Sequence, residues 1–261
     1  MEVRRALGPR APWHVGDIAW GFRQHAGREH EWRVRLWEAD GSVVAWSWLR
    51  LDTGKLSHDV HPHHLGLLDE LLDEPEAKEA FALDGDEDRL AAFASRGFTE
   101  RGEAMQMTSL HLEQPPEPPP LPDGFRYRTV EPGDLAKRVS VHRDVWSPSR
   151  VTEESYANVM AEWPYRASLD CVVEAPDGSF AAYCLIWPDD QNAVGELEPV
   201  GVRKEFRQRG LGAAVCAFAL GRLVEEGCRG AIVYCVTEPA RALYNSLGFE
   251  HHADVVGYKR A

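Results

Sequence analysis

Arg207-Gln208-Arg209-Gly210-Leu211-Gly212 joins an extended apolar stretch, Val194 to Val202, to a run in which Val215, Phe218, Ala219, Leu223 and Val224 share one helical face. A strand that turns into a helix through such a loop brings unpaired backbone N–H groups and the positive end of the helix dipole to one point, where an anion is favoured. Gly210 and Gly212 remove side chains that would hold a diphosphate away from the amides, and Arg207 and Arg209 add charge at the rim. The plainer reading is an ordinary strand-to-helix turn with glycine for geometry and arginine for solubility. Neither a Gly-x-Gly-x-x-Gly fingerprint nor a Gly-x-x-x-x-Gly-Lys-Ser/Thr phosphate loop occurs here, which argues against NAD and ATP.

On the C-terminal side, Gly227 ends the helix, Ala231 to Val236 reads as an apolar strand, and a short helix over Ala240 to Leu247 precedes Gly248-Phe249. On the N-terminal side the pattern predicts a strand over Phe125 to Val130, a helix from about Pro132 to Trp146, and a second helix after Thr152 with Glu153 and Glu154 in its first turn. Strands Asp170 to Glu174 and Phe180 to Trp187 form a hairpin through Asp177-Gly178. The run Gln114-Pro115-Pro116-Glu117-Pro118-Pro119-Pro120 donates almost no backbone hydrogen bonds and marks a boundary. Before it the same order recurs, with Asp40-Gly41 at a hairpin and Gly97-Phe98 near the close. The Asp-Gly pairs are closer together than the Gly-Phe pairs, so the first copy is shorter in between, where Val60 to Leu68 lacks most of the glycine loop.

The glycine loop with its flanking elements, together with Ala240-Arg241-Ala242-Leu243-Tyr244-Asn245-Ser246-Leu247-Gly248-Phe249, resembles the GCN5-related N-acetyltransferase (GNAT) superfamily. The likeness is good over residues 124–261 and degenerate over 13–112. It implies an α/β chain of two tandem GNAT-like domains, each a twisted, mixed, mostly antiparallel sheet flanked by helices. The expected division is 1–113 for the degenerate copy, 114–121 for the linker and 122–261 for the catalytic domain. The resemblance further implies acetyl-CoA as cosubstrate, with no metal, in a cleft where two parallel strands splay apart. The pantetheine arm would follow Glu198 to Val202, through Pro199, Val200 and Gly201. The pyrophosphate would sit on Arg207, Gln208, Arg209, Gly210, Leu211, Gly212 and Ala213.

Acetyl transfer to an amine needs something to take the ammonium's proton. Glu196 and Glu198, two apart on one strand, point to the same face. By position in the family Glu196 is the first candidate base and Glu198 the second; a solvated strand face, or pairing with Arg203, is the alternative. The family pattern places Tyr244 beside the departing sulfur as general acid, against a plain apolar contact with Leu243 and Leu247. Thr237 stands where an asparagine that touches the cofactor is frequent.

At the position equivalent to Tyr244 the first copy has Phe93, which has no hydroxyl. Residues 1–113 are therefore expected to keep the fold, to have lost catalysis and to help shape the acceptor pocket. His58, His61, His63 and His64 cluster in a turn-like segment without metal-ligand spacing, and Trp32, Trp37, Trp46 and Trp48 follow strand-like spacing as core or interface residues. Trp146 to Arg150 and Trp163 to Arg166 fall where the family lines its acceptor site.

With 44% hydrophobic residues in 261, the chain has enough apolar material for its cores. A net charge of -13 offers no footing for nucleic acid or anionic lipid. Five cysteines, none in a Cys-x-x-Cys pair, read as buried reduced thiols. Met1 to Pro12 has no apolar run of signal-peptide length, so the expected compartment is the cytoplasm. The expected acceptor is an amine on a small molecule or peptide, and the protein a monomer or homodimer. A noncatalytic acyl-CoA sensor is the rival from another class.

Overall fold

The computed structural model describes residues 2–8 and 11–261; Met1, Pro9 and Arg10, part of the segment read above for a leader, lie outside the described residues. In chain order the elements are α1 (Glu2–Leu7), α2 (Val15–Arg23), β1 (Trp32–Ala39), β2 (Ser42–Arg50), β3 (Lys55–Val60), α3 (Leu68–Leu71), β4 (Glu79–Leu83), α4 (Glu87–Ser95) and β5 (Phe98–His111). They continue with β6 (Arg126–Thr129), α5 (Leu135–Val145), α6 (Glu153–Ala161), β7 (Asp170–Glu174), β8 (Phe180–Asp189), β9 (Val194–Val202), α7 (Leu211–Glu225), β10 (Gly230–Cys235), α8 (Glu238–Ser246) and β11 (Glu250–Arg260). No helix among the described residues is long and apolar enough to cross a membrane.

Two compact units result, and they do not follow the proline run. The first contains residues 1–14, 27–107 and 252–261; the second contains 15–26 and 108–251. Helix α2, from the N-terminal end, thus belongs with the second unit, and most of β11, the last strand, with the first. Burial explains the first transfer: Ala19 and Trp20 of α2 share an apolar cluster with Val139, Tyr156, Val159, Leu185 and Trp187. Backbone pairing explains the other, because β11 runs antiparallel to β4 from Val255 opposite Leu83 to Lys259 opposite Glu79.

In the second unit the strand order is β10-β9-β8-β7-β6, with the end of β5 beside β10. Only β9 and β10 in that run are parallel; β6-β7, β7-β8 and β8-β9 are antiparallel. Helix α7 lays Leu211, Val215, Ala219, Leu220 and Leu223 on a core with Cys171, Cys184 and Ile186, while Leu185 and Trp187 belong to the cluster formed with α2, α5 and α6. Strand β8 is therefore buried along its whole length, as a strand covered on both faces must be. All five cysteines are free and buried, in agreement with the sequence reading.

Inside this unit lies a charged core. Arg138 of α5 donates to Asp170 of β7 at 2.8 Å, both side chains fully buried. Tyr156 and Tyr165 donate to the other oxygen of Asp170 at 2.6 and 3.2 Å. The guanidinium lies over the rings of Tyr183 and Tyr156, at 3.9 and 4.7 Å from their centroids. Burial opposes the charge, but the Asp170 carboxylate and the two phenols outweigh it and hold Arg138 protonated.

The first unit repeats the plan in reduced form. Its parallel pair, β3 and β4, matches over Lys55 opposite Glu79 and Leu56 opposite Ala80. Strand β3 leads into a 3-10 segment, Pro62–Leu67, and the single turn α3, where the second unit has its loop and long α7. Phe93 is fully buried against His58, Phe98 and Tyr258. His61 caps the 3-10 segment, its ring accepting from the His63 amide at 3.2 Å, so part of the histidine cluster serves the local turn.

Candidate active site

Strands β9 and β10 pair at Gly230 opposite Val194, Ala231 opposite Gly195 and Ile232 opposite Glu196, then part. Beyond that point β9 runs on to Val202 and β10 to Cys235, neither on the other's ladder. The parting has a local cause. In the β8-β9 ladder Ile186 faces Leu197 and Cys184 faces Val200, so Leu185 is opposed by both Glu198 and Pro199: a bulge that turns β9 away. Proline at 199 fits such a break because it has no N–H for a ladder. Trp187 fixes the bulge by donating its indole N–H to the Glu198 carbonyl at 2.7 Å. The splayed pair inferred from the resemblance is present.

Of the residues read as the pantetheine strand, Pro199 and Gly201 are buried while Val200 and Val202 are half-buried. Gly201 has a packing reason: a Cβ there would stand 2.6 Å from Val145 and 2.9 Å from Tyr183. At the end of β9 the loop turns through Gln208 at φ 61° and Gly210 at φ 77° before α7 begins. Two left-handed residues in three curve the amides of 208–212 into a concave rim, the form in which backbone N–H groups hold an anion. Nothing stands within 4 Å of a Cβ built on Gly210, so that position is open and its glycine is required by φ alone. At Gly212 a Cβ would meet Leu243 at 2.8 Å, so the lack of a side chain also lets α7 approach α8. Arg207 and Arg209 are exposed, the latter over the Phe206 ring at 5.6 Å. Leu211 is part of the core and Ala213 is half-buried.

Helix α8 starts at Thr237, whose hydroxyl accepts from the Ala240 amide at 3.4 Å, so the hydroxyl in the asparagine's place serves as an N-cap. Tyr244 is the buried residue of that helix, edge-on to Phe249 at 5.7 Å. Burial, followed by Cys216, Cys184, Cys235 and Glu198, pushes its phenol well above the ordinary range, so it stays protonated.

Glu196 is fully buried and Glu198 half-buried, and a third carboxylate that the sequence reading missed joins them: Asp17 of α2. One carboxylate oxygen from each lies within 4.8 Å of the others. Asp17 lies beside Glu198, whose carboxyl is held well above the usual range by burial and by the Asp17 charge. Helix α2 comes this near because Gly16 has no side chain: a Cβ there would collide with Glu196 and would lie 2.7 Å from Trp187. Arg203, the alternative partner for the glutamates, pairs with Asp144 and donates to Ser140 and the Phe180 carbonyl. No local pattern could have announced Asp17, whose partners lie far along the chain.

Beside α2 the unit presents an aromatic wall. Trp20 meets His142 edge-on at 5.3 Å, and His142 and Trp146 both bond the Tyr183 hydroxyl, at 3.0 and 2.7 Å. Burial, then the Arg138 charge, lowers His142 to about 3, so the ring is neutral. Trp146 is 52% exposed and Trp163 58%, so neither is a buried packing anchor. Tyr165 and Arg166, by contrast, are held in place: the first by Asp170, the second by Asp190 and Glu226.

Residues 138–249 match the acetyltransferase (GNAT) family. The mycothiol acetyltransferase of Actinosynnema mirum is 30% identical over 184 residues, 67% of this chain, and the match spans 61% of that protein, less than two thirds of its length. That of Saccharomonospora viridis is 28% identical over 212 residues, 73% of this chain and 69% of its own. Among solved structures, a tandem GNAT protein from the clavulanic acid biosynthesis pathway matches with a TM-score of 0.67 at 17% identity, over 99% of this chain and 91% of that one. A GCN5-related N-acetyltransferase from Sphaerobacter thermophilus matches at 0.66 and 20% identity, over 95% and 93%. At such identities the structural likeness is one of fold. Sequence match and architecture agree, and residues 138–249 form a domain of the acetyltransferase (GNAT) family.

Proposed function

We propose that the protein transfers the acetyl group of acetyl-CoA to a primary amine, in the cleft opened by the parting of β9 and β10. The observation that carries this reading is the arrangement around that parting: an amide-lined loop at the end of β9, a buried tyrosine on α8, and carboxylates on β9. The loop would hold the diphosphate, and β9 beyond its bulge would offer backbone groups to the pantetheine amides.

An ammonium acceptor gives one proton to the Glu196 carboxylate. The freed amine attacks the thioester carbonyl, forming the C–N bond; the C–S bond breaks as Tyr244 protonates the sulfur. Nitrogen loses its second proton, which restores Tyr244, and the first passes from Glu196 to solvent. The products are the amide, the thiol and one proton. The first unit has Phe93 and a single turn in place of the tyrosine and the loop, and is assigned no catalytic role.

Thiol release from acetyl-CoA across a panel of amines, including the acceptor of mycothiol acetyltransferases, tests the reading, with calorimetry of cofactor binding alongside. Gly210→Asp puts a branched anion at a left-handed position facing the diphosphate, and binding is expected to fall below detection. Tyr244→Phe is expected to lower kcat about 100-fold with little change in the KM for acetyl-CoA. Cofactor binding without turnover on any amine favours a sensor; no binding by the wild type removes the proposal.

A further inference from the structure

The proposed chemistry uses one carboxylate, yet the site holds three. Helix α2 lies outside the family match at 138–249, and belongs to the second unit although it is the second helix of the chain. Its Gly16 leaves no room for a side chain against Glu196 and Trp187, so the approach of α2 to β8 and β9 is set by close contact. The next residue, Asp17, brings a carboxylate oxygen within 4.8 Å of one on Glu198 and one on Glu196. Two ionised carboxylates this close repel each other, and a proton held between them relieves the repulsion.

We propose that Asp17 is a positioning residue of the transfer site: it shares a proton with Glu198, keeps Glu198 uncharged at neutral pH, and leaves Glu196 as the carboxylate that takes the ammonium's proton. The proposal rests on the acetyltransferase reading of the same site.

The consequence is electrostatic. When the C–S bond breaks, negative charge develops on the sulfur and is passed to Tyr244. An ionised Glu198 acts on the Tyr244 phenol and opposes that charge. A Glu198 held neutral by Asp17 removes the opposition without removing the base beside it. The groups that face the Asp17–Glu198 pair are Glu196 on β9 and Tyr244 on α8, with Cys216, Cys184 and Cys235 around the tyrosine; His25, just past the end of α2, acts on His142. The charge that acts on Glu198 is that of Asp17, so its removal has a definite sign.

Asp17→Asn keeps the shape and deletes the charge. Glu198 then titrates lower than in the wild type, though its burial still raises it. More of it is ionised at neutral pH, and kcat falls by up to about tenfold, with the KM for acetyl-CoA unchanged. Because the loss acts through Glu198, it disappears when Asp17→Asn is made in a Glu198→Gln background. A role confined to packing α2 predicts instead the same fractional loss in both backgrounds.

The test on the full-length chain has two arms. Carbon-13 spectra of the side-chain carboxyls over pH are expected to show one carboxyl in the wild type titrating above the usual range, and the same carboxyl titrating at lower pH in Asp17→Asn. Steady-state kinetics of the four proteins (wild type, both single variants and the double) are expected to show the non-additivity. Unchanged carboxyl titration in Asp17→Asn, or additive losses in kcat, overturns the proposal. A wild type that turns over no amine removes the acetyltransferase reading, while the carboxyl spectra still decide whether the proton is shared.

Discussion

Asp170→Ala costs the second unit about 3–5 kcal/mol, because it leaves the Arg138 guanidinium buried and charged with no counter-ion. Arg138 has nowhere to go: its side chain is wholly buried, its Nε bonds Asp170, and its plane is held between Tyr183 and Tyr156. The loss also strips the hydroxyls of Tyr156 and Tyr165 of their acceptor. Urea unfolding followed by tryptophan fluorescence checks this as a lower midpoint with unchanged slope. The double change Arg138→Met with Asp170→Leu removes both charges together and is expected to recover most of the loss. Because the pair ties α5 to β7, and α5 carries His142 and Trp146 to the Tyr183 hydroxyl, the single variant also raises the KM for the amine more than that for acetyl-CoA.

Glu196→Gln lowers kcat/KM by about 10²–10⁴-fold, the usual contribution of a positioned proton acceptor. The amide has the same size, so the buried site stays filled. A lost base and a lost packing contact are separated by pH: without Glu196 only amine already deprotonated in solution can react, and the variant's rate rises with pH until the amine's own pKa. A variant held back by packing alone keeps the wild-type profile at a lower level. Wild-type activity in Glu196→Gln assigns the proton to water and leaves Glu196 as a buried acid.

Much of the second unit was legible because its signals are local. The predicted bounds of β7 and β9 coincide with the observed ones, and Thr152 caps α6 as read, in a reciprocal pair with Ser155. Gly210 takes a left-handed φ with open space around it, as the plainer reading of a glycine-shaped turn has it, while Gly201 and Gly212 make room for Val145, Tyr183 and Leu243, partners that a loop motif does not encode. The left-handed Gln208 was invisible, since nothing in that residue type announces a positive φ. The compact units depart from a division at the proline run for a related reason. Proline marks where a chain cannot pair, whereas Trp20 and Val255 are assigned by what they bury against and which strand they meet.

That last feature constrains how the molecule can be made. The end of β5, the closing strand of the first copy, lies beside β10 in the second unit, and most of β11, the closing strand of the second copy, lies beside β4 in the first. Domains ordinarily fold as units while a ribosome is still adding residues to the chain. Here β4 waits for residues 252–261, which follow the whole of the second unit in the chain, so the unit begun first is finished only once the second has been made. Helix α2 waits in turn for β8 and β9. A nascent chain halted at the proline run therefore holds one unit without its closing strand and a helix without its sheet, and a gene split there would encode two fragments that each need the other.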